Sequence, residues 1–166
     1  MPAYSAAHGC RDATPLYLFD QHFAERCPAL LADFAVPEDF FPEDLLAYLP
    51  DEKRPPYRWV MVGPRGSGTD VHRDPSGTGA WNALLSGEKF WALVDPTLTP
   101  EEVGADAVAD TTPVGDWFVT FLPGLLARGR ARVALQRPGD VVYVPPGEWH
   151  AVWNLTVRAK IKEANE

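Results

Sequence analysis

Residues 137–155 read Arg137-Pro138-Gly139-Asp140, Val141-Val142-Tyr143-Val144, Pro145-Pro146-Gly147, and Glu148-Trp149-His150-Ala151-Val152-Trp153-Asn154-Leu155. Pro-Gly-Asp and Pro-Pro-Gly are turn chemistry, because proline presets φ and glycine tolerates positive φ. The β-branched and aromatic runs they bound are then short strands, Val141–Val144 and Trp149–Leu155. Period-2 alternation puts His150, Val152 and Asn154 on one face of the second strand and Trp149, Ala151 and Trp153 on the other. The two tryptophans read as packing residues, since the overall charge is wrong for a nucleic-acid stacking platform. Working toward the N-terminus, the same texture recurs. Tyr57–Gly63 is a short strand, and Gly63-Pro64-Arg65-Gly66-Ser67-Gly68 is a loop with no Gly-Lys-Ser/Thr to make it a phosphate loop. Trp81–Leu85 and Glu88–Val94 are strands, with Ser86-Gly87 placed to form a two-residue hairpin turn. With no long helix after Tyr57, this spacing predicts a mainly β fold, an antiparallel barrel or jelly roll.

The remainder is less regular. Residues 1–14 are small and polar and read as a tail or remnant, leaving 15–166 as one domain. Residues 15–50 read as short helices or irregular chain, with Pro42-Glu43-Asp44 suited to a first helical turn. Residues 95–135 read as a long insertion, acidic around Glu101–Asp110 and aromatic at Trp117, Phe118 and Phe121.

The 166 residues suit one domain with a real core, and 46% hydrophobic with 23% charged residues is globular composition. Seventeen prolines and thirteen glycines agree with many turns. A formal charge of −8 argues against nucleic acid as a partner by bulk electrostatics. Arg128, Arg130, Arg132 and Arg137 cluster in sequence and read as a solvated loop. Cys10 and Cys27 make neither a disulfide framework nor a zinc site. No secretory signal pattern opens the sequence and no apolar run is long enough for a membrane span. The expectation is an intracellular protein of the nucleus or cytoplasm.

His72-Arg73-Asp74 places two ligand-type side chains at i and i+2, on one face of an extended backbone. Alone, a His-x-Asp is weak evidence, and a surface loop or a satisfied core histidine is the ordinary reading. With His150 it completes two imidazoles and one carboxylate, the facial triad that leaves coordination positions open on non-haem iron. In the expected hairpin, Leu84 lies opposite Lys89 and Asn82 opposite Trp91, so all four share a face. A lysine among Trp and Leu costs free energy unless an anion meets it, and the distal carboxylate of 2-oxoglutarate is such an anion. The alternatives are that Lys89 snorkels to the rim or that the register differs by one.

Arg58-Trp59-Val60-Met61-Val62-Gly63-Pro64-Arg65-Gly66-Ser67-Gly68-Thr69-Asp70-Val71-His72-Arg73-Asp74-Pro75 resembles the metal-binding segment of JmjC-domain proteins. Gly77-Thr78-Gly79-Ala80-Trp81-Asn82-Ala83-Leu84-Leu85-Ser86-Gly87-Glu88-Lys89 and Pro138-Gly139-Asp140 through His150 to Asn154-Leu155 extend the match. Pro15-Leu16-Tyr17-Leu18-Phe19-Asp20 and Pro55-Pro56-Tyr57-Arg58-Trp59 are similar to the branch described as arginine demethylase and lysyl hydroxylase, formerly the phosphatidylserine receptor. The resemblance covers about residues 15–155. It implies a double-stranded β-helix (cupin/jelly-roll) barrel with short N-terminal helices. It also implies Fe(II) held by His72, Asp74 and His150. Lys89 would pair with 2-oxoglutarate, helped by Thr69 and Asn82, with Tyr17 reaching the co-substrate pocket. One departure is visible. The family's closing strand carries a Thr and an Asn for the co-substrate, whereas Thr156-Val157-Arg158-Ala159-Lys160-Ile161-Lys162-Glu163 shows no such pattern, so the domain is expected to be truncated at its C-terminal end.

The resemblance implies a 2-oxoglutarate-dependent oxygenase acting on a protein or peptide side chain, lysyl hydroxylation being favoured over arginine or lysine demethylation. A basic peptide suits the acidic chain. Oligomeric state is open. The competing expectation is a non-catalytic JmjC/cupin binding module that has lost its co-substrate site, and a third is a small-molecule cupin enzyme.

Overall fold

The computed structural model describes residues 12–33, 35, 45–107 and 112–156, and divides into two compact units. The first comprises the chain up to Tyr17 and from Gly63 onward. Its centre is a four-stranded sheet ordered β3-β8-β5-β6: β3 (Gly68–His72), β8 (Trp149–Asn154), β5 (Lys89–Val94) and β6 (Ala131–Gln136). A second sheet pairs β4 (Ala80–Ala83) with β7 (Val141–Val144). The strand pairs β3–β8, β4–β7, β5–β6 and β5–β8 are all antiparallel, as a jelly roll requires.

The central strands β5 and β8 are buried on both faces, which explains why β5 reads as a continuous apolar run after its lysine. On one face Ala92, Val94, Trp149 and Ala151 pack with Trp117, Phe118, Leu122 and Leu125. These last belong to two short helices, α3 (Val114–Thr120) and α4 (Leu122–Ala127). On the other face Trp91, Leu93 and Val152 meet Val144 of the second sheet, with Ala134 and Val142 alongside. The expected division of β8 into a His150/Val152/Asn154 face and a Trp149/Ala151/Trp153 face is what separates these two layers.

The expected hairpin is overturned. Ser86-Gly87 does turn the chain, Gly87 taking φ 89, but β4 pairs with β7 while β5 pairs with β6 and β8. The strands on either side of the turn therefore enter different sheets. Leu84 marks the departure, its backbone bonding to Asp140 and Gly139 at the turn before β7. Alternation is local and survives: Lys89, Trp91 and Leu93 still face inward. Pairing is a long-range choice, and a two-residue turn did not decide it.

The segment 95–135 also differs from the expected insertion, since it contains α2 (Pro100–Val103), α3, α4 and the start of β6. The local signals for α2 are complete. Thr99 and Glu102 form a reciprocal capping box, Pro100 occupies the first turn, and Gly104 closes it at φ 77. The four arginines are not a uniformly solvated loop. Arg132 lies within β6 and pairs with the buried Glu148, while Arg130 pairs with Asp95 and Arg137 with Glu88.

Gln136 was not among the expected core residues and is 1% exposed. Its Oε1 accepts the Trp91 indole N–H at 2.8 Å, and its Nε2 donates to the carbonyls of Asn82 and Asp140 at 2.8 and 3.1 Å. One side chain thus joins β6, β5, β4 and the turn before β7. Gln136→Leu strands one donor and two acceptors, so chemical denaturation should show a loss of about 2–4 kcal/mol.

The second unit is Leu18–Val62. It holds the antiparallel pair β1 (Leu18–Asp20) and β2 (Val60–Val62), the single turn α1 (Phe23–Arg26) and short 3-10 turns. The expected short helices are present, whereas β1 falls in a stretch expected to be helical or irregular and β2 is shorter than Tyr57–Gly63. Arg54 caps one 3-10 turn by donating to the carbonyls of Leu46, Ala47 and Leu49. The expected helical start at Pro42-Glu43-Asp44, residues 1–11 of the tail and the Lys160/Lys162 segment lie outside the described residues. Among the described residues no helix is long and apolar enough to cross a membrane.

Candidate metal and co-substrate site

His72 and His150 arrive at the site as a cross-strand pair of β3 and β8. The register makes this possible only through an irregularity. Thr69 pairs with Val152 and His72 with His150, so three steps along β3 match two along β8. Without that extra residue, alternation would place Thr69 and His72 on opposite faces. With it, both stand opposite inward-facing residues of β8. Gly68 lets the strands approach at the start of this stretch, because a Cβ there would strike the Val152 carbonyl.

Asp74 follows β3 with extended backbone (φ −63, ψ 141) and precedes a 3-10 turn at Pro75–Gly77. Its Oδ1 lies 3.8 Å from Nε2 of His72 and 3.8 Å from Nε2 of His150. One donor atom from each of the three residues lies within 4.8 Å of the others. Donors at right angles about 2 Å from one ion are about 3 Å apart, so the set is slightly open and closes on an ion with small movements.

Each imidazole is oriented from behind. Nδ1 of His72 sits 2.7 Å from the Asp70 carbonyl, and Nδ1 of His150 sits 3.1 Å from the Glu148 carbonyl. A carbonyl can only accept, so Nδ1 carries the proton and both Nε2 lone pairs point to the shared centre. Burial and the nearby His72 push the His150 pKa below its usual value, against smaller opposing effects of the Glu148 carbonyl and Asp74. A neutral His150 is the ligating form. It also makes the 3.8 Å approach to Asp74 something other than an ion pair. Oδ2 of Asp74 is buried with no hydrogen-bond partner among the described residues. A carboxylate oxygen without a partner, beside two lone pairs with none, is a donor set that fits a divalent cation.

The second half of the site is a polar row across the inner face. Lys89 pairs with Gln136 on one side and Asn154 on the other, and all three are buried. Lys89 is 7% exposed, and its Nζ donates to the Tyr17 hydroxyl at 3.0 Å. Among the described residues no carboxylate meets this ammonium. An unneutralised buried cation is expensive, so the position is chemically suited to an anion. Lys89 is level with Asn154, four residues along β8 from His150, a separation of roughly 13 Å. A lysine side chain and a short dicarboxylate together span such a gap.

The structure brings the remaining expected residues to this space, by a route the sequence did not show. Asn82 pairs with the inward Val142 on the opposite sheet, and its Oδ1 is buried with no hydrogen-bond partner among the described residues. Asn82 and Lys89 therefore face one interior from two sheets, not one side of a hairpin. Tyr17 is half-buried and meets the candidate site through its hydroxyl contact with Lys89. A cleft of about 350 Å³, lined by Tyr17, Ser67, Asp70 and Val114 among others, opens beside it. Sequence reasoning misses Gln136, because all of β6 before it falls in the expected insertion 95–135. It also misses Ser67, whose Oγ accepts from Asn154 Nδ2 at 2.9 Å and fixes the end of the polar row.

Residues 59–164 match the model of the JmjC domain, described as a hydroxylase. The chain is 42% identical over 152 residues to the lysine-specific demethylase JMJ21 of Arabidopsis thaliana, covering 87% of this chain and 16% of that protein. It is 39% identical over 155 residues to the bifunctional arginine demethylase and lysyl-hydroxylase psr-1 of Caenorhabditis elegans, covering 87% and 38%. A 2-oxoglutarate and iron-dependent oxygenase, the JMJD4 homolog of Drosophila melanogaster, is 29% identical over 143 residues, covering 85% and 32%. The chain thus spans well under half the length of these relatives.

Proposed function

The chain belongs to the JmjC-domain family, and we propose that it is an Fe(II)- and 2-oxoglutarate-dependent oxygenase that hydroxylates a protein side chain. The observation that carries this reading is the pairing of two unmet needs in one interior. Asp74, His72 and His150 present donors without a cation, and Lys89 presents a cation without an anion. Fe(II) answers the first and the distal carboxylate of 2-oxoglutarate the second. Iron, 2-oxoglutarate and O₂ together supply oxidative decarboxylation to succinate and CO₂, with one oxygen atom entering a substrate C–H bond.

The chain's own residues bind and orient. His72 and His150 donate from Nε2, with tautomers fixed by Asp70 and Glu148. Asp74 supplies the anionic ligand, and three protein ligands leave positions for a chelating co-substrate and O₂. Lys89, held by Tyr17, fixes the far end of 2-oxoglutarate. Asn82 offers Oδ1 to the same space, and Thr69 lines it from β3. Trp91, whose ring lies 6.3 Å from that of His150 at 23°, walls the cavity and keeps water from its apolar side.

Hydroxylation of a lysine carbon and removal of an N-methyl group share the same C–H step, the second ending in loss of formaldehyde. We favour lysyl hydroxylation on a basic peptide: lysyl hydroxylase is one of the two activities in the name of psr-1, and the formal charge of −8 suits a basic partner. Anaerobic titration with Fe(II) and then 2-oxoglutarate should give a visible metal-to-ligand charge-transfer band. Aerobic turnover of a lysine-rich peptide should add one oxygen by mass, while a methylarginine peptide should keep its methyl groups. Iron binding with no charge-transfer band would replace this reading with that of a non-catalytic binding module.

A further inference from the structure

We propose that Arg73 is a positioning residue for the metal centre, acting through Trp149 on the outer face of the sheet. The inference rests on the reading of His72, Asp74 and His150 as one metal site. Arg73 lies between two of those ligands and Trp149 immediately precedes the third. One step in each direction from the His72–His150 pair brings them opposite one another. Alternation that turns the ligands inward turns these two outward. The Arg73 guanidinium lies 4.2 Å from the centre of a Trp149 ring.

Both side chains also hold the same acceptor. Arg73 Nη2 donates to the Leu98 carbonyl at 3.2 Å and to the Pro96 carbonyl, and Trp149 Nε1 donates to the Leu98 carbonyl at 3.0 Å. The loop offering those carbonyls is itself fixed. Asp95 Oδ1 accepts from the Thr97 backbone N–H and hydroxyl, and Arg130 forms an ion pair with Asp95 and donates from Nη2 to the Thr97 hydroxyl. Asp74 needs such a hold more than the histidines do. His72 and His150 stand on paired strands, whereas Asp74 lies beyond the end of β3 and before a turn in which Ser76 takes φ 60. Arg73 fixes the direction of the chain at the point where the strand stops and the carboxylate ligand begins.

Coulomb's law and this latch predict opposite signs. A cation near a dication repels it, so charge alone makes removal of Arg73 neutral or favourable to metal binding. Loss of the latch makes removal unfavourable. The test is Co(II) affinity of the full chain, read by equilibrium dialysis and by the visible ligand-field bands. Arg73→Met should weaken Co(II) binding about tenfold, the range for groups that orient metal ligands. Arg73→Lys keeps a cation over the indole but cannot span both carbonyls, and should fall between. Arg73→Met with wild-type or tighter affinity overturns the latch. If that variant does not fold, Arg73→Lys carries the test: weaker binding supports the latch and wild-type affinity overturns it. A wild-type chain that binds no Co(II) overturns the metal-site reading, and the latch with it.

Discussion

Asp74→Asn is expected to lower Fe(II) affinity more than about 100-fold, beyond the usual cost of losing an outer-shell partner, with the metal-free protein at least as stable as the parent. The two halves of this expectation have one cause. Oδ2 of Asp74 is buried with no partner among the described residues, and Oδ1 stands 3.8 Å from two imidazole nitrogens whose other nitrogens are already used. In the absence of an ion this carboxylate is a partly desolvated charge, so a neutral amide of the same shape relieves the chain. In the presence of Fe(II) the same change removes the anionic ligand. Metal content after anaerobic dialysis measures the first effect and urea unfolding of the apo protein the second. A structural carboxylate would behave the other way, with asparagine costing stability and leaving metal content unchanged.

Lys89→Met should abolish 2-oxoglutarate binding while leaving Fe(II) binding close to wild type. Truncating one partner of a desolvated, charge-assisted pair costs about 2–5 kcal/mol, equivalent to roughly 30-fold to several thousand-fold in affinity. Methionine fills much of the same volume without an ammonium, and Lys89 is 7% exposed with a tyrosine hydroxyl where a counter-ion would be expected. The unliganded variant should therefore unfold at the same or higher denaturant concentration. The charge-transfer titration reads the co-substrate arm, and iron dialysis reads the metal arm. Retention of the band would assign Lys89 to packing and move the co-substrate anchor elsewhere.

Much of this site was legible in the chain because alternation is a local property. His150, Val152 and Asn154 fall inward, and Lys89 and Trp91 share a face, whatever the strands pair with. The turn signals around Pro138-Gly139 and Pro145-Pro146-Gly147 bounded β7 and β8 correctly for the same reason. Elements whose identity depends on distant partners were not legible. β6 carries Arg132 at the end of the 95–135 stretch that reads as insertion and Gln136 just beyond it, and its strand character comes from pairing with β5. The Ser86-Gly87 turn invited a hairpin, yet the free energy of two sheets packing around Trp91, Leu93, Val144 and Val152 sent β4 to β7.

By itself, then, the sequence assembled the candidate site: two histidines and a lysine on strands of known facing, with an aspartate just past the first of them. The family followed from the spacing of those motifs. The tertiary structure alone decided how these groups meet. The irregularity between Thr69 and His72 turns both toward the interior, Asn82 arrives from the opposite sheet, and Tyr17 reaches the Lys89 ammonium across 72 positions of sequence. The physical reason is the range of the forces involved. Side-chain facing is fixed by the dihedrals of neighbouring residues, whereas register, sheet membership and the partner of a buried charge are settled only when distant segments bury their surfaces together.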